Sequence, residues 1–376
     1  MSTRTQCQWL RSGDEIFPAM LEAIKTARFS VCLETYIFAG GAVGQRFRDA
    51  LVRAQQRGVR VRVLVDALGS MGLPSHFWDG LLAAGGQVRW FNPAALMRFS
   101  FRDHRKVLVC DDQMAFIGGF NIAREYHGDG VHSGWRDLGL KVEGPLAAQL
   151  TASFEAMFKR ASFQHKRIIR LRRFPVDRTS VWPAQQLFLS EPGRGRNPIK
   201  LALRGDLAHA RDVQIMVAYF LPTWRLRRDL VRIVERGGRV QLILPGTSDV
   251  PLSRLAAQSL YGRLLRHGVE IYEYQPQILH AKLIIVDNVV YVGSSNLDQR
   301  SLRINYELMV RIQDRERVEE ARRIFAEDLG NCRRIELSEL NQSHPFWLRL
   351  KQRLAYFLLV RVDPNLARRL WHSLPE

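Results

Sequence analysis

Between Asp14 and Arg28 the apolar residues Ile16, Met20, Leu21 and Ile24 fall on one stripe, which predicts an amphipathic helix. Val31 to Phe38 then reads as a strand, broken by Gly40-Gly41. Phe47 to Gln56 has helical spacing and stops at Gly58, and Val59 to Asp66 alternates as a half-buried strand does. A further helix ends at Gly85-Gly86, and Val88 to Phe91 is a short strand. Trp135 to Pro145 reads as a strand with its stop, and Leu146 to Arg160 as a helix. Strands alternating with helices of this length predict an α/β layered domain.

The second half replays this order. Val213 to Phe220 mirrors the Val31 strand, and Arg236-Gly237-Gly238 leading into Arg239 to Leu244 mirrors Arg57-Gly58 leading into Val59 to Leu64. Leu264 to Ile271 mirrors Leu82 to Arg89 at nearly the same offset. A tandem duplication accounts for a period this long. The expected organisation is a first lobe over 1–164, a basic flexible linker over 165–197, a second lobe over 198–336 and a tail over 337–376. In the tail, Trp347, Leu350, Leu354 and Leu358 share a helical stripe, with Arg349, Lys351, Arg353 and Arg361 around it and Arg368, Arg369 and Trp371 beyond. Such a segment suits a membrane interface or a terminal helix packed on its domain, and one helix can do both.

The chemistry repeats as well. His104-x-Lys106-x4-Asp111 runs into Gly118-Gly119-Phe120-Asn121, and His280-x-Lys282-x4-Asp287 runs into Gly293-Ser294-Ser295-Asn296. A lone His-x-Lys is an ordinary surface pair; two copies in register point to one site that uses both histidines. Residues two apart on a strand share a face, so each histidine points the same way as its lysine. Asp111 and Asp287, though part of the repeated catalytic motif, have the opposite parity and open turns, which puts them in structural support. Lysine ammonium groups, the Asn121 and Asn296 amides and the N–H groups of glycine turns make a phosphate cradle. One histidine can attack phosphorus while the other protonates the leaving alkoxide and then deprotonates the incoming hydroxyl. With lysines meeting the phosphoryl charge, no metal or other cofactor is required. Asp137 follows the first motif and Glu307 the second, each on the strand after it, as candidate carboxylates to orient the histidines. His127 and His132 read as solvated loop histidines rather than metal ligands, Cys110 as core rather than a nucleophile, and Tyr36 and Tyr219, on matching strands, as packing residues first and site-lining residues second.

Composition narrows the partner. The 376 residues carry 56 Lys and Arg against 37 Asp and Glu, a formal +19, which suggests a polyanion, either nucleic acid or an anionic membrane. With 46% apolar and 25% charged residues the chain is globular. The first ten residues lack the apolar stretch of a secretory leader, and the scattered Cys7, Cys32, Cys110 and Cys332 share no metal spacing, so reduced cytosolic thiols are expected.

The paired motif resembles the phospholipase D superfamily, and nearly the whole chain is similar to bacterial cardiolipin synthases, particularly the B type without an N-terminal transmembrane hairpin. Besides the motifs, the resemblance rests on Leu33 to Phe38, Arg57-Gly58-Val59, Trp135-Arg136-Asp137 with Glu143-Gly144-Pro145, Ala218-Tyr219-Phe220, Gly293 to Asp298, Asn305-Tyr306-Glu307 and the basic aromatic tail. It implies two α/β/α lobes related by a pseudo-twofold, with the active site at their interface. It also implies phosphatidyl transfer from phosphatidylglycerol through a phosphohistidine, with His104 the nucleophile and His280 the acid–base. The expected partners are phosphatidylglycerol and the cytoplasmic face of the bacterial cell membrane, held peripherally. A phospholipase D-type hydrolase of phospholipid or nucleic acid is the alternative, and the amphipathic aromatic tail weighs against nucleic acid.

Overall fold

The structure, a computed structural model, describes residues 5–93, 101–161, 184–192, 197–343 and 346–363, with backbone alone for 341–343. The first lobe runs β1 (Gln6–Leu10), α1 (Gly13–Thr26), β2 (Ser30–Thr35), α2 (Ala42–Gln56), β3 (Arg60–Asp66), α3 (Asp79–Ala83), β4 (Gln87–Phe91), β5 (Val107–Cys110), β6 (Met114–Gly118), β7 (Gly139–Glu143) and α4 (Pro145–Arg160). The second runs β8 (Gln185–Ser190), α5 (Pro198–Leu207), β9 (Asp212–Val217), α6 (Trp224–Glu235), β10 (Arg239–Pro245), α7 (Pro251–Arg266), β11 (Glu270–Tyr274), β12 (Lys282–Val286), β13 (Val289–Gly293), β14 (Glu307–Ile312) and α8 (Arg315–Gly330). It then adds β15 (Cys332–Arg334), α9 (Leu337–Ser343) and α10 (Phe346–Phe357).

Each lobe builds one mixed sheet, ordered β1-β7-β6-β5-β2-β3-β4 in the first and β15-β11-β10-β9-β12-β13-β14-β8 in the second. Apart from β15 the orders match strand for strand, with β2, β3 and β4 parallel like β9, β10 and β11. The hairpins β5–β6 and β12–β13 carry the motifs. Apolar residues of α4 (Leu150, Phe154) and α8 (Ala321, Phe325) share one buried cluster with the inner sheet faces (Val107, Val109, Leu283, Ile285). The outer faces are covered separately, by α1 and α2 in the first lobe and by α5, α6 and α7 in the second. The two sheets are therefore locked through a shared α4–α8 layer.

Several expected boundaries move. β8, inside the stretch expected to be linker, is the edge strand of the second sheet and pairs with β14 as β1 pairs with β7. The second lobe thus begins before residue 198; residues 165–183 and 193–196 of the expected linker lie outside the described residues. α2 starts at Ala42, and α3 is only five residues long. The strand expected over Trp135 to Glu143 is regular only from Gly139. The strand from Val31 to Phe38 stops at Thr35, because the next free N–H, that of Ile37, is taken by the Asn121 carboxamide oxygen at 3.0 Å. Cys110 is core, as expected; burial holds its thiol far above the ordinary range and pushes that of Cys32 up to about 11. Among the described residues no helix is long and apolar enough to cross a membrane.

Candidate active site

The motif histidines lie just ahead of their strands, on segments that reach across to the other lobe. Asp103 bridges to Tyr306, with His104 N–H donating to the Tyr306 carbonyl at 3.0 Å and Tyr306 N–H to that of Arg102 at 2.9 Å. Arg136 bridges to Leu279 in the same way, and His280 N–H donates to the Arg136 carbonyl at 2.7 Å. These two bridges set His104 beside the residue after Tyr306 and His280 beside the residue after Arg136. Those residues are Glu307 and Asp137.

The carboxylate dyads are therefore crossed between lobes. His104 Nδ1 lies 3.0 Å from Glu307 Oε1 and 3.1 Å from Oε2. His280 Nδ1 lies 2.7 Å from Asp137 Oδ2. Sequence order suggested that each carboxylate serves the motif preceding it; the tertiary structure exchanges them. Asp137 also sits in the loop before β7 rather than on the strand, where Leu138 N–H donates to its Oδ1 at 2.7 Å. Both carboxylates are fully buried. A Nδ1–H donated to the carboxylate leaves the Nε2 of each ring for chemistry.

Turn chemistry explains how the carboxyl groups fit. A Cβ on Gly119 would fall 2.1 Å from Asp137 Oδ1, so only glycine leaves room for that carboxylate. The matching position in the second lobe is Ser294, whose Oγ donates to Glu307 Oε2 at 2.5 Å. Arg136 fastens the Asp137 loop across the interface through two 2.7 Å contacts to Asp328 of α8.

Both lysines are buried beside the rings. Lys106 Nζ donates to the His104 carbonyl at 2.6 Å. Lys282 Nζ lies 2.8 and 3.1 Å from the two nitrogens of His280 and donates to that residue's carbonyl. Because His280 Nδ1 spends its hydrogen on Asp137, the lysine approach to it is one of charge rather than a second hydrogen bond. Burial pushes Lys106 down to about 7 and Lys282 to about 8, against the opposing pull of nearby carboxylates. It lowers His104, with Glu307 opposing, and lowers His280 well below the usual range, with Lys282 and Lys106 adding to the effect. Asp137 is raised to about 7 by burial against the pull of Lys282. Charges from both lobes thus act on both rings, so the two motifs make one site.

Asp111 and Asp287, members of the repeated motif that strand parity places in structural support, lie away from the rings. Asp111 sits at the far end of β5 from Lys106 and accepts the N–H groups of Arg28, Phe29 and Ser30 at 2.7–2.8 Å. Asp287 does the same for Arg211 and Asp212. Both occupy left-handed backbone positions, φ 55° and 46°, that an aspartate tolerates in a turn. The asparagines are nearer the chemistry but spend their oxygens on structure, Asn121 on Ile37 N–H and Asn296 on Tyr219 N–H. Asn121 Nδ2 donates to the Tyr126 hydroxyl at 2.6 Å, which in turn lies 3.5 Å from His280 Nε2.

The rings are walled by aromatics. Tyr36 stands edge-on to His104 at 5.1 Å between centroids, while Tyr126, Trp135 and Tyr219 surround His280 at 5.2, 5.7 and 6.5 Å. Tyr36 and Tyr219 thus line the site. Tyr126 and Trp135 were not singled out as site residues, since a loop aromatic carries no local mark of which ring it will meet. His127 and His132 are elsewhere, paired with Asp14 at 3.8 Å and Asp129 at 2.6 Å.

Behind His104 lies a buried polar network that the described residues of the second lobe do not repeat. Arg105 pairs with Glu34 at 3.0 Å and Arg102 with Asp66 at 3.4 Å, while Asp103 N–H donates to Asp66 at 3.0 Å. The positions equivalent to Asp103 and Arg105 are Leu279 and Ala281, both packed in the inter-lobe apolar cluster. Ion pairs hold the first histidine segment and apolar packing holds the second. The His104 ring is also the more exposed, 11% against 4% for His280.

Comparison with known proteins agrees with this geometry. A family model described as "Cardiolipin synthase, PLD-like domain" matches residues 20–160 and 203–329. Cardiolipin synthase B of Salmonella typhimurium is 33% identical over 363 residues, covering 94% of this chain and 87% of that protein. The major cardiolipin synthase of Bacillus subtilis is 32% identical, covering 93% and 74%. Among solved structures, phosphatidylserine synthase from Haemophilus influenzae superposes with a TM-score of 0.76 at 15% identity, covering 96% of this chain and 95% of that one. The two sheets, their shared helical layer and the doubled motif are thus a known architecture, and the chain belongs to the cardiolipin synthase family of phospholipase D-like proteins.

Proposed function

We propose that this chain joins two phosphatidylglycerol molecules into cardiolipin and releases glycerol, by way of a phosphatidyl-histidine. The observation that carries the reading is the pair of crossed His–carboxylate dyads in one buried, lysine-rich site. His104, neutral and donating Nδ1–H to Glu307, attacks phosphorus through Nε2. The bond from phosphorus to the glycerol oxygen breaks, and His280 Nε2–H gives that oxygen its proton. In the second half, a hydroxyl of another phosphatidylglycerol gives its proton to His280 Nε2 and its oxygen bonds to phosphorus. The N–P bond breaks, and His104 is restored.

Burial favours a neutral His280, yet the first step needs it protonated. The phosphodiester anion supplies the difference: its charge, placed among Lys106 and Lys282, offsets the ammonium groups that lower His280, while Asp137 stays within hydrogen-bond reach of Nδ1. Lys106, Lys282 and the amide nitrogens of Asn121 and Asn296 meet charge on the phosphoryl oxygens. Glu307 faces the positive ring that forms when His104 is phosphorylated. The greater exposure of His104 and its ion-paired mounting favour it as the nucleophile. The enzyme works from the cytoplasmic face of the cell membrane, held peripherally by anionic lipid.

The test is to incubate the purified chain with phosphatidylglycerol vesicles and EDTA and to resolve the lipids. Cardiolipin with released glycerol, absent in His104→Ala, is expected. Phosphatidic acid alone would make water the acceptor and overturn the transferase reading.

A further inference from the structure

α10 and the π-helical turn that continues it (Leu358–Val362) have two apolar faces, and the core uses only one. Ala355, Tyr356, Leu359 and Val360 pack with the outer cluster of the second lobe. The opposite face presents Phe346, Trp347, Leu350, Leu354, Phe357 and Leu358, exposed from 38% to 81%. Residues 346–363 hold four cations, Arg349, Lys351, Arg353 and Arg361, and a single acid, Asp363, whose carboxylate is engaged by Arg300 at 2.6 and 2.8 Å. Lys351 lies 4.9 Å over the exposed Trp347 ring.

The surface continues beyond α10. Arg227 of α6 lies 5.6 Å over the Tyr356 ring, which places α6 against the helix. At the start of α6, Arg225 and Arg228 flank the exposed Trp224 ring at 5.9 and 4.6 Å. Lys200 and the exposed Leu201 lie on the first turn of α5, whose Leu203 packs in one cluster with Leu226 of α6. The α5 cap residue Asn197 donates to the Leu302 carbonyl at 3.1 Å, which sets the Arg300–Arg303 loop against it. Indole rings paired with cations on an apolar ground are the composition of a bilayer interface, where the ring sits at headgroup depth and the cation meets lipid phosphate. A protein-binding groove has no such need for an excess of positive charge around its apolar centre.

Arg300, which holds Asp363 at the end of this segment, lies in the turn that follows Asn296 of the second motif. We propose that α10, the first turns of α5 and α6 and the Arg300–Arg303 loop form one docking face for an anionic bilayer, anchored by the Arg300–Asp363 pair. That the docked lipid is also substrate rests on the phosphatidyltransferase reading; the docking itself does not.

Binding can be measured apart from turnover, in the full chain carrying His104→Ala. It is sedimented with phosphatidylcholine vesicles containing about one-third phosphatidylglycerol, and with pure phosphatidylcholine. Pelleting with the first and not the second is expected. Leu350→Glu with Leu354→Glu should weaken partitioning ~100-fold or more, since two half-exposed leucines leave the lipid. Lys351→Glu with Arg361→Glu, which keeps the apolar stripe, should weaken it ~10-fold or more. A thermal melt checks folding, and if one pair unfolds the chain the other decides. Variants that pellet like the parent would overturn the proposal. So would a lipid-free parent that sediments as a dimer and becomes monomeric in the leucine variant without change in vesicle binding, because the face would then join two copies. If the chain with His104 intact turns over no lipid while the vesicle contrast persists, the transferase reading fails and the docking face stands.

Discussion

Replacing Glu307 by Gln tests the crossed dyad most directly. The carboxylate faces His104 Nδ1 at 3.0–3.1 Å, is held by Ser294 Oγ at 2.5 Å, and is fully buried. The amide can still accept the ring hydrogen, so shape and tautomer are preserved and only charge is lost. A hydrogen bond to a charged partner is worth about 1.5–3 kcal/mol, and at about 1.4 kcal/mol per decade its loss costs ~10- to 150-fold in rate. Phosphorylation of Nε2 leaves the ring positive. Two opposite charges about 3 Å apart attract by roughly 5 kcal/mol at an effective dielectric of about 20, before desolvation is set against it. The expected fall in the rate of covalent adduct formation is therefore about 10²–10³-fold. Rapid quench with lipid labelled in its phosphate follows the proposed phosphatidyl-His104 adduct directly. Because Glu307 holds the His104 pKa up against burial, the Glu307→Gln substitution should lower it further, and His104 should resist protonation to more acidic pH by NMR. His280, paired with Asp137, should be far less affected. An adduct rate within about threefold of the parent, or a titration change confined to His280, would refute the pairing.

Three further outcomes follow from the same geometry. In the His104→Ala background, binding of a dispersed short-chain phosphatidylglycerol, whose phosphodiester charge is constant, should weaken as pH rises from about 6 to about 9. Lys106 and Lys282 lose their protons near about 7 and 8 in the free site, and calorimetric titration across that range checks the sign. Asp111→Ala removes the acceptor of three N–H groups and leaves alanine at φ 55°, so chemical denaturation should show a loss of about 2–4 kcal/mol while kcat of the folded enzyme stays within about threefold. Gly119→Ala drives a methyl into the Asp137 carboxylate, so it should cost about 1–3 kcal/mol of stability and lower kcat at least ~10-fold, and Gly119→Ser should fare no better.

Much of this protein was legible in the order of its residues. The alternating pattern foretells mixed α/β lobes, because periods of two and of about 3.6 bury one face of a strand or helix whatever lies opposite. Two His-x-Lys motifs in register announce a doubled unit and a phosphoryl site. Parity alone assigns Asp111 and Asp287 to turns, since that is a local property of the backbone. The tail stripe carries two readings; α10 packs one face on the second lobe, as the terminal-helix reading expects, and leaves the other exposed.

What linear order does not contain is which lobe completes which dyad. Asp137 follows His104, yet it meets His280, because the lobes dock through α4 and α8 and place each histidine segment on the other lobe's bridge. Whether a carboxylate serves its own motif or its partner's depends on the direction in which two sheets face one another, and no local periodicity encodes that direction. The same holds for Tyr126 and Trp135 around His280 and for the Glu34–Arg105 pair behind His104. Their residue types are unremarkable in sequence and acquire a role only from long-range packing. The amino-acid order by itself determined the elements, the repeat and the kind of chemistry; the tertiary structure decided the pairing, because contacts between distant segments are set by how whole faces bury one another.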